Sequence, residues 1–233
     1  MRETTSPLGL GNTAFGEIVT GRYSCRGFQP DQLPDDQVEY VLRAAQRTPS
    51  WYNAQAWEVH IVRGEAKDRL SEALLAAADP GGEPSSDFPL PTTYTGPRRD
   101  RRRAAGFGLY NAVGIARDDF EGRERQAREN FTFFGAGQVA IVTLHEELGP
   151  YALADVGAYA ATFCYAAQAL GIGTIIQGAI GVYAGAVRKA LDIPVEQRIV
   201  CGISFGRPDP SHPANGFRTE RAELSEFVRW RDS

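Results

Sequence analysis

Cysteine is scarce in this sequence. Only Cys25, Cys164 and Cys201 occur in 233 residues, far apart and without a C-x-x-C pair. An odd, scattered set fits a reducing compartment better than a disulfide framework. Histidine is equally thin, and His60, His145 and His212 show no metal-ligand spacing. Lysine is almost missing: Lys67 and Lys189 stand alone, so nearly all positive charge is arginine. No apolar run has the length needed to span a bilayer. Met1 to Gly16 lacks an apolar h-region, so no secretory signal is expected and a cytoplasmic protein is. A Walker A motif is absent. Gly9-Leu10-Gly11 and Gly171-Ile172-Gly173 do not complete a dinucleotide fingerprint, and no internal repeat is found.

What remains is ordinary globular composition, with 42% hydrophobic and 23% charged residues, which excludes wholesale disorder. A chain of this length buries roughly 70–75% of its unfolded surface, so one domain over 1–233 needs no metal or disulfide staple. Lys+Arg 25 against Asp+Glu 29 gives a net charge of −4, with a pI near 5.5. Such a balance argues against a general nucleic-acid binder.

Helical and strand periods alternate along the chain. A loose leader over Met1–Phe15 turns helical near Glu17–Gly21. Asp35–Arg47 is a helix with Asp35 as its expected N-cap, ended by Thr48-Pro49. Strands are expected at Trp57–Arg63, Gln138–His145, Thr174–Gln177 and Arg198–Gly206. Helices are expected at Lys67–Ala78, Arg101–Val113, Asp118–Phe134 and Val182–Leu191. Residues 79–134 form a loop and helical excursion, opening with the Gly/Pro/Ser-rich stretch Asp79–Asp100. Tyr151–Leu170 is nearly charge-free and rich in alanine, which implies burial all round, in the core or against another subunit. The class is α+β or α/β.

Gly202-Ile203-Ser204-Phe205-Gly206 matches the G-x-S-x-G nucleophile elbow. Arg207-Pro208-Asp209-Pro210 cannot open the helix that motif needs, so a buried strand is expected instead. The run Arg98-Arg99-Asp100-Arg101-Arg102-Arg103 puts positive charge at a helix start, against the dipole. A neighbouring carboxylate or a phosphate would compensate it.

Three segments carry the functional signal. They are Arg22-Tyr23-Ser24-Cys25-Arg26-Gly27-Phe28, then Pro49-Ser50-Trp51-Tyr52-Asn53-Ala54-Gln55-Ala56-Trp57, then Arg218-Thr219-Glu220-Arg221. In this order they resemble the FMN-dependent nitroreductase family, in its nitrobenzoate-reductase-like branch. Residues 101–118, 130–136, 171–177 and 200–221 extend the likeness over roughly Gly21 to Trp230.

The resemblance implies an α+β fold with a central, mostly antiparallel sheet flanked by helices, in an interlocked homodimer with FMN at the interface. It implies NADH or NADPH as reductant and a small nitroaromatic or quinone acceptor, with ping-pong hydride transfer through flavin N5. No nucleic acid, membrane or metal is expected as a partner. By resemblance, Arg22, Ser24 and Arg26 meet the phosphate and ribityl end, with Arg221 and Arg218 closing it. Pro49, Ser50, Asn53 and Gln55 belong to the segment that reaches the flavin from the partner. Gln177 and Gly178 lie beside the ring, with a backbone N–H near Gly178 at N5. Arginine forks and a hydroxyl suit a phosphate, and the redox chemistry belongs to the cofactor.

The chain departs from the family pattern at three places. Tyr23 stands where a second arginine or histidine is usual, and Ala56 replaces proline. Trp51 and Tyr52 replace small residues, and with Phe133 and Phe134 they are candidates for gating the pocket. The Phe131–Phe134 rings also suit a core, Ser50 and Asn53 also suit a turn, and Gln177 also suits a strand end. Two other readings keep flavin: a dehydrogenase or dehalogenase on a specialised substrate, and a flavin-binding module with little turnover.

Overall fold

The structure is a computed structural model and describes residues 13–232; the first twelve residues of the expected leader lie outside them. A four-stranded sheet is its centre: β1 (Trp57–Arg63), β2 (Gln138–His145), β3 (Gly173–Gln177) and β4 (Gln197–Gly206). The order is β1-β2-β4-β3 and all three pairings are antiparallel. The strand bounds meet the sequence expectation within a residue.

β2 shows why. Val139 and Ile141 point to one face while Ala140, Val142 and Leu144 point to the other, and all are buried. A strand covered on both faces reads as a continuous apolar run. Helices α2 (Asp35–Ala45) and α6 (Leu153–Ala169) cover one face, with Tyr159 and Phe163 at its centre. Helices α3 (Glu65–Ala77) and α8 (Ala184–Leu191) cover the other, through Leu70, Leu74 and Val187. Of the rest, α1 is Ala14–Gly21, α4 Gly96–Ala112, α5 Phe120–Arg128, α7 Gly178–Val182 and α9 Leu224–Phe227.

Several boundaries differ from expectation for local reasons. Pro34 occupies the N-cap position of α2, while Asp35, its first residue, pairs with Arg63 on β1. Helix α4 starts five residues early, because Pro97 suits the first turn and Thr95 holds the extended cap backbone. The arginine run therefore lies inside a helix. Two of its members find carboxylates: Arg99 pairs with Asp100, and Arg101 with Glu226 while stacking on Phe227 at 4.9 Å. Asp119 caps α5 by accepting from the Gly122 N–H at 2.7 Å. That helix stops at Arg128, since Phe133 (φ 57°) and Phe134 (φ 53°) take the left-handed region. Helix α6 is not buried all round: Val156, Tyr159, Phe163 and Ala167 face the core, whereas Ala154, Gly157 and Ala158 face outward.

Candidate functional site

The N-terminal and C-terminal arginine segments meet. After α1 the chain runs along the outer edge of β3, where Ser24 bridges Thr174 and the Cys25 N–H donates to the Thr174 carbonyl at 3.0 Å. It then crosses the end of β4, with Phe28 bridging Pro208 and the Asp209 N–H bonding the Gly27 carbonyl at 2.9 Å. Asn215 ties the two segments together. Its Oδ1 accepts from the Arg26 N–H at 2.8 Å, and its Nδ2 donates to the carbonyls of Gly27 at 2.7 Å and Asp209 at 2.9 Å. The packing leaves no slack, because a Cβ on Gly27 would stand 2.1 Å from the His212 ring.

Two guanidinium groups, those of Arg26 and Arg218, are held on these joined segments, and Arg22 opens the first of them. Arg26 donates to the Ser24 carbonyl at 3.2 Å. Burial pulls its pKa below the ordinary arginine value, but an arginine stays charged. Arg218 lies over the Tyr23 ring at 3.7 Å and donates to the Asn215 carbonyl at 2.7 Å. Arg22 follows the last turn of α1. Among the described residues, none of the three has a carboxylate within 4.0 Å. Burial raises the Tyr23 phenol and the Cys25 thiol above their ordinary values, so both stay protonated near neutrality. The corner is thus positively charged with no internal counter-ion, which suits a dianionic phosphate. Arg221 is exposed and, among the described residues, bonds only within its own segment, to Thr219 and Glu220. It lines an open cleft of about 1030 Å³ between α4 and the C-terminal segment, facing Arg101 and Phe227.

The Pro49–Gln55 segment is elsewhere in the chain. The Trp51 N–H donates to Asp155 at 3.1 Å, near the start of α6. Gly21, beside Arg22, packs on Gln168 near the end of α6. Thirteen residues at 1.5 Å each put roughly 20 Å between the two anchor points. Ser50 accepts from the Gln55 N–H at 2.9 Å, and the Gln55 side chain bonds Gln46 at 2.7 Å. Tyr52 (φ 53°), Asn53 (φ 57°) and Gln55 (φ 49°) all lie in the left-handed region. Three such residues in one short loop store strain that functional loops commonly carry. Trp51 and Tyr52 stack on each other at 5.7 Å, and Trp51 meets Tyr151 edge-on at 4.9 Å. Both are exposed, Tyr52 at 91%.

Two expectations change. Phe133 and Phe134 are core residues, 0% and 5% exposed, so their rings have no path to act as gates. Their left-handed backbone turns them inward against Ile175 and Ile180. The Gln177 side chain also points inward, donating to the Asn130 carbonyl at 2.8 Å and accepting from Ser204. Only its backbone and that of Gly178 border the sheet end, where a Cβ on Gly178 would meet nothing within 4 Å. Ser204 is fully buried as a donor to Gln177, which removes the nucleophile-elbow reading.

Two residues went unremarked in the sequence. Asn215 is one; its amide is indistinguishable from any loop asparagine until its partners are seen. Asp87 is the other. Buried inside the 79–95 loop, it accepts from Arg188 at 2.7 Å and from the Ile199 N–H at 2.7 Å, with Arg198 at 3.8 Å. The loop is pinned again at Ser85, whose N–H bonds the Val182 carbonyl at 2.9 Å.

An antiparallel sheet between helical layers defines an α+β protein, and at its edge two arginine-bearing segments meet with no carboxylate paired to Arg22, Arg26 or Arg218 among the described residues. The chain belongs to the nitroreductase family, whose match spans residues 19–207. It is 36% identical over 219 residues to a 4-nitrobenzoate reductase of Nocardioides sp., covering 92% of this chain and 89% of that one. It is 36% identical over 218 residues to the nitroreductase NfnB of Mycolicibacterium smegmatis, covering 93% and 92%. Among solved structures, the FMN-dependent nitroreductase NfnB from Mycobacterium smegmatis in complex with NADPH superposes with a TM-score of 0.87 at 35% identity, covering 92% and 96%. The FMN and NADPH-dependent NfnB from sphigopyxis sp. strain HMH gives 0.89 at 28% identity, covering 94% and 99%. Among the described residues no helix is long and apolar enough to cross a membrane, and no cluster could hold a metal ion.

Proposed function

We propose that this chain is an FMN-dependent NAD(P)H oxidoreductase that reduces nitroaromatic acceptors by a ping-pong cycle. The observation that carries the reading is the arginine corner, positively charged and without an internal counter-ion, in a chain whose relatives are FMN-dependent nitroreductases. Arg22, Arg26, Arg218 and the Ser24 hydroxyl would hold the phosphate, and the open edge at Gly178 leaves room for a ring to lie against backbone. When bound, FMN supplies the two-electron chemistry, taking hydride from the nicotinamide and passing it to the acceptor in turn. The protein binds, orients and excludes water; no titrating side chain is needed at the reacting atoms.

The separation of the two loops along α6 supports a homodimer. If a second copy lays its α6 antiparallel against this one, the Ser50–Gln55 loop of each copy comes to the arginine corner of the other. The outward residues Ala154, Gly157 and Ala158 are small enough for that close approach. In this assembly the 79–134 excursion frames the mouth of the site, and the protein works in the cytoplasm. The test is the visible spectrum of the purified protein, then anaerobic bleaching by NADPH or NADH and recovery on adding 4-nitrobenzoate. A colourless protein that FMN cannot reconstitute overturns the reading, as does a flavin that neither nucleotide reduces.

A further inference from the structure

We propose that Tyr23 is a positioning residue whose ring presets the Arg218 guanidinium for a terminal phosphate, so that this pair selects FMN over riboflavin. The inference rests on the flavin reading above and assigns a role that reading leaves open. Tyr23 stands where the family pattern has a second fixed charge, and in this chain its ring lies under the Arg218 guanidinium instead.

The geometry is built rather than incidental. Arg218 lies 3.7 Å from the centre of the Tyr23 ring, well inside the range of a cation–π contact. Its Nη1 is spent on the Asn215 and Phe217 carbonyls at 2.7 and 2.9 Å. That leaves the Nε and Nη2 N–H groups, the edge that binds an oxyanion bidentately, without a protein acceptor among the described residues. Asn215 fixes the carbonyl that holds Arg218 to the Arg26 N–H and the Gly27 carbonyl, on the same short segment that carries Tyr23. Platform and guanidinium therefore move as one unit with the Ser24–Arg26 loop. Three contacts on an otherwise exposed arginine remove most of the rotamer freedom it would lose on binding a ligand, which is where preorganisation adds affinity.

The test compares dissociation constants for FMN and for riboflavin, which lacks the phosphate, on apo-protein prepared from the full chain. Arg218→Leu alters an exposed side chain. It should weaken FMN about ten- to a hundredfold, the loss of one charge-assisted contact, and leave riboflavin unchanged. Tyr23→Leu should weaken FMN about two- to thirtyfold, again sparing riboflavin, while Tyr23→Phe keeps the ring and the affinity. The double variant Tyr23→Leu/Arg218→Leu should be no weaker than Arg218→Leu alone. Equal losses for both flavins, additive losses in the double variant, or an Arg218→Leu protein that still prefers FMN as the wild type does would each overturn the proposal. A wild-type protein that binds neither flavin would instead sink the functional reading itself.

Discussion

Asp87→Ala is expected to release the 79–95 loop and to destabilise the protein strongly. The carboxylate accepts two short bonds, from the Arg188 guanidinium and from the Ile199 N–H, both at 2.7 Å. Its side chain is 8% exposed and that of Arg188 20%, so water screens the pair little. Charge-assisted bonds contribute ~1.5–3 kcal/mol each, and breaking a buried pair strands its partner, which typically totals about 3–5 kcal/mol. The Arg188 Nε is already buried without a partner, and without Asp87 the guanidinium keeps only its Nη2 bond to the Gln197 carbonyl at 3.2 Å. For a domain of this size each kcal/mol moves Tm by ~2–4 °C, giving a drop of roughly 6–20 °C. The assay is thermal unfolding at fixed protein and FMN concentration, since bound ligand shifts Tm. Limited proteolysis runs beside it, with new cleavage expected between Asp79 and Thr95. Asp87→Asn keeps an acceptor for Ile199 and should lie between the two. A drop below about 2 °C with an unchanged cleavage pattern would show that the loop is held by something other than Asp87.

Ser204→Ala removes only a bond to Gln177, so it should lower stability by ~1 kcal/mol and leave NADPH oxidation in place; an esterase activity lost on this change would restore the hydrolase reading. Burial pushes the Cys201 thiol from 9.0 up to about 12. The unfolded chain therefore ionises first, and stability should be level below about pH 9 and fall from there toward about 12. Urea midpoints across that window should decline less steeply in Cys201→Ala, and identical slopes would refute the assignment. Trp51→Gly/Tyr52→Thr should raise turnover of a bulky nitroaromatic relative to a small one without changing FMN affinity; dissociation into monomers would show instead that these rings serve the interface.

The sheet was legible because its strands are covered in a regular way. β2 carries the apolar run that two covered faces demand, while Trp57–Arg63 departs from simple alternation by burying Trp57 on one face and Val62 on the other. Helix ends were less legible where proline or left-handed backbone decides them, as at Pro97 and at Phe133-Phe134. A phenylalanine gives no warning that it will adopt a positive φ, since packing imposes that from outside. Arg22, Tyr23, Ser24, Arg26 and Arg218 could be singled out because arginine and serine types advertise anion binding. The resemblance already implied that they surround one phosphate; how the two segments are tied together could not be read, because Asn215 looks like any turn asparagine. Asp87 escaped for a related reason: one of three acids in the Pro/Gly/Ser-rich 79–95 loop looks solvated until two arginines from α8 and β4 are found around it.

The stretch from Ser24 to Phe28 does a second job that follows from its path. It runs along β3, which ends the sheet, and takes up part of that strand's unpaired backbone through Thr174. Unpaired outer strands are templates for joining another chain, and proteins must cover or blunt them. Here the cover is the very segment proposed to hold the phosphate. Whatever steadies the arginine corner also keeps the outermost strand from acting as a seed for aggregation. Selection for ligand affinity and selection for solubility thus act on the same five residues, and substitutions that trade one against the other should be rare among functional variants.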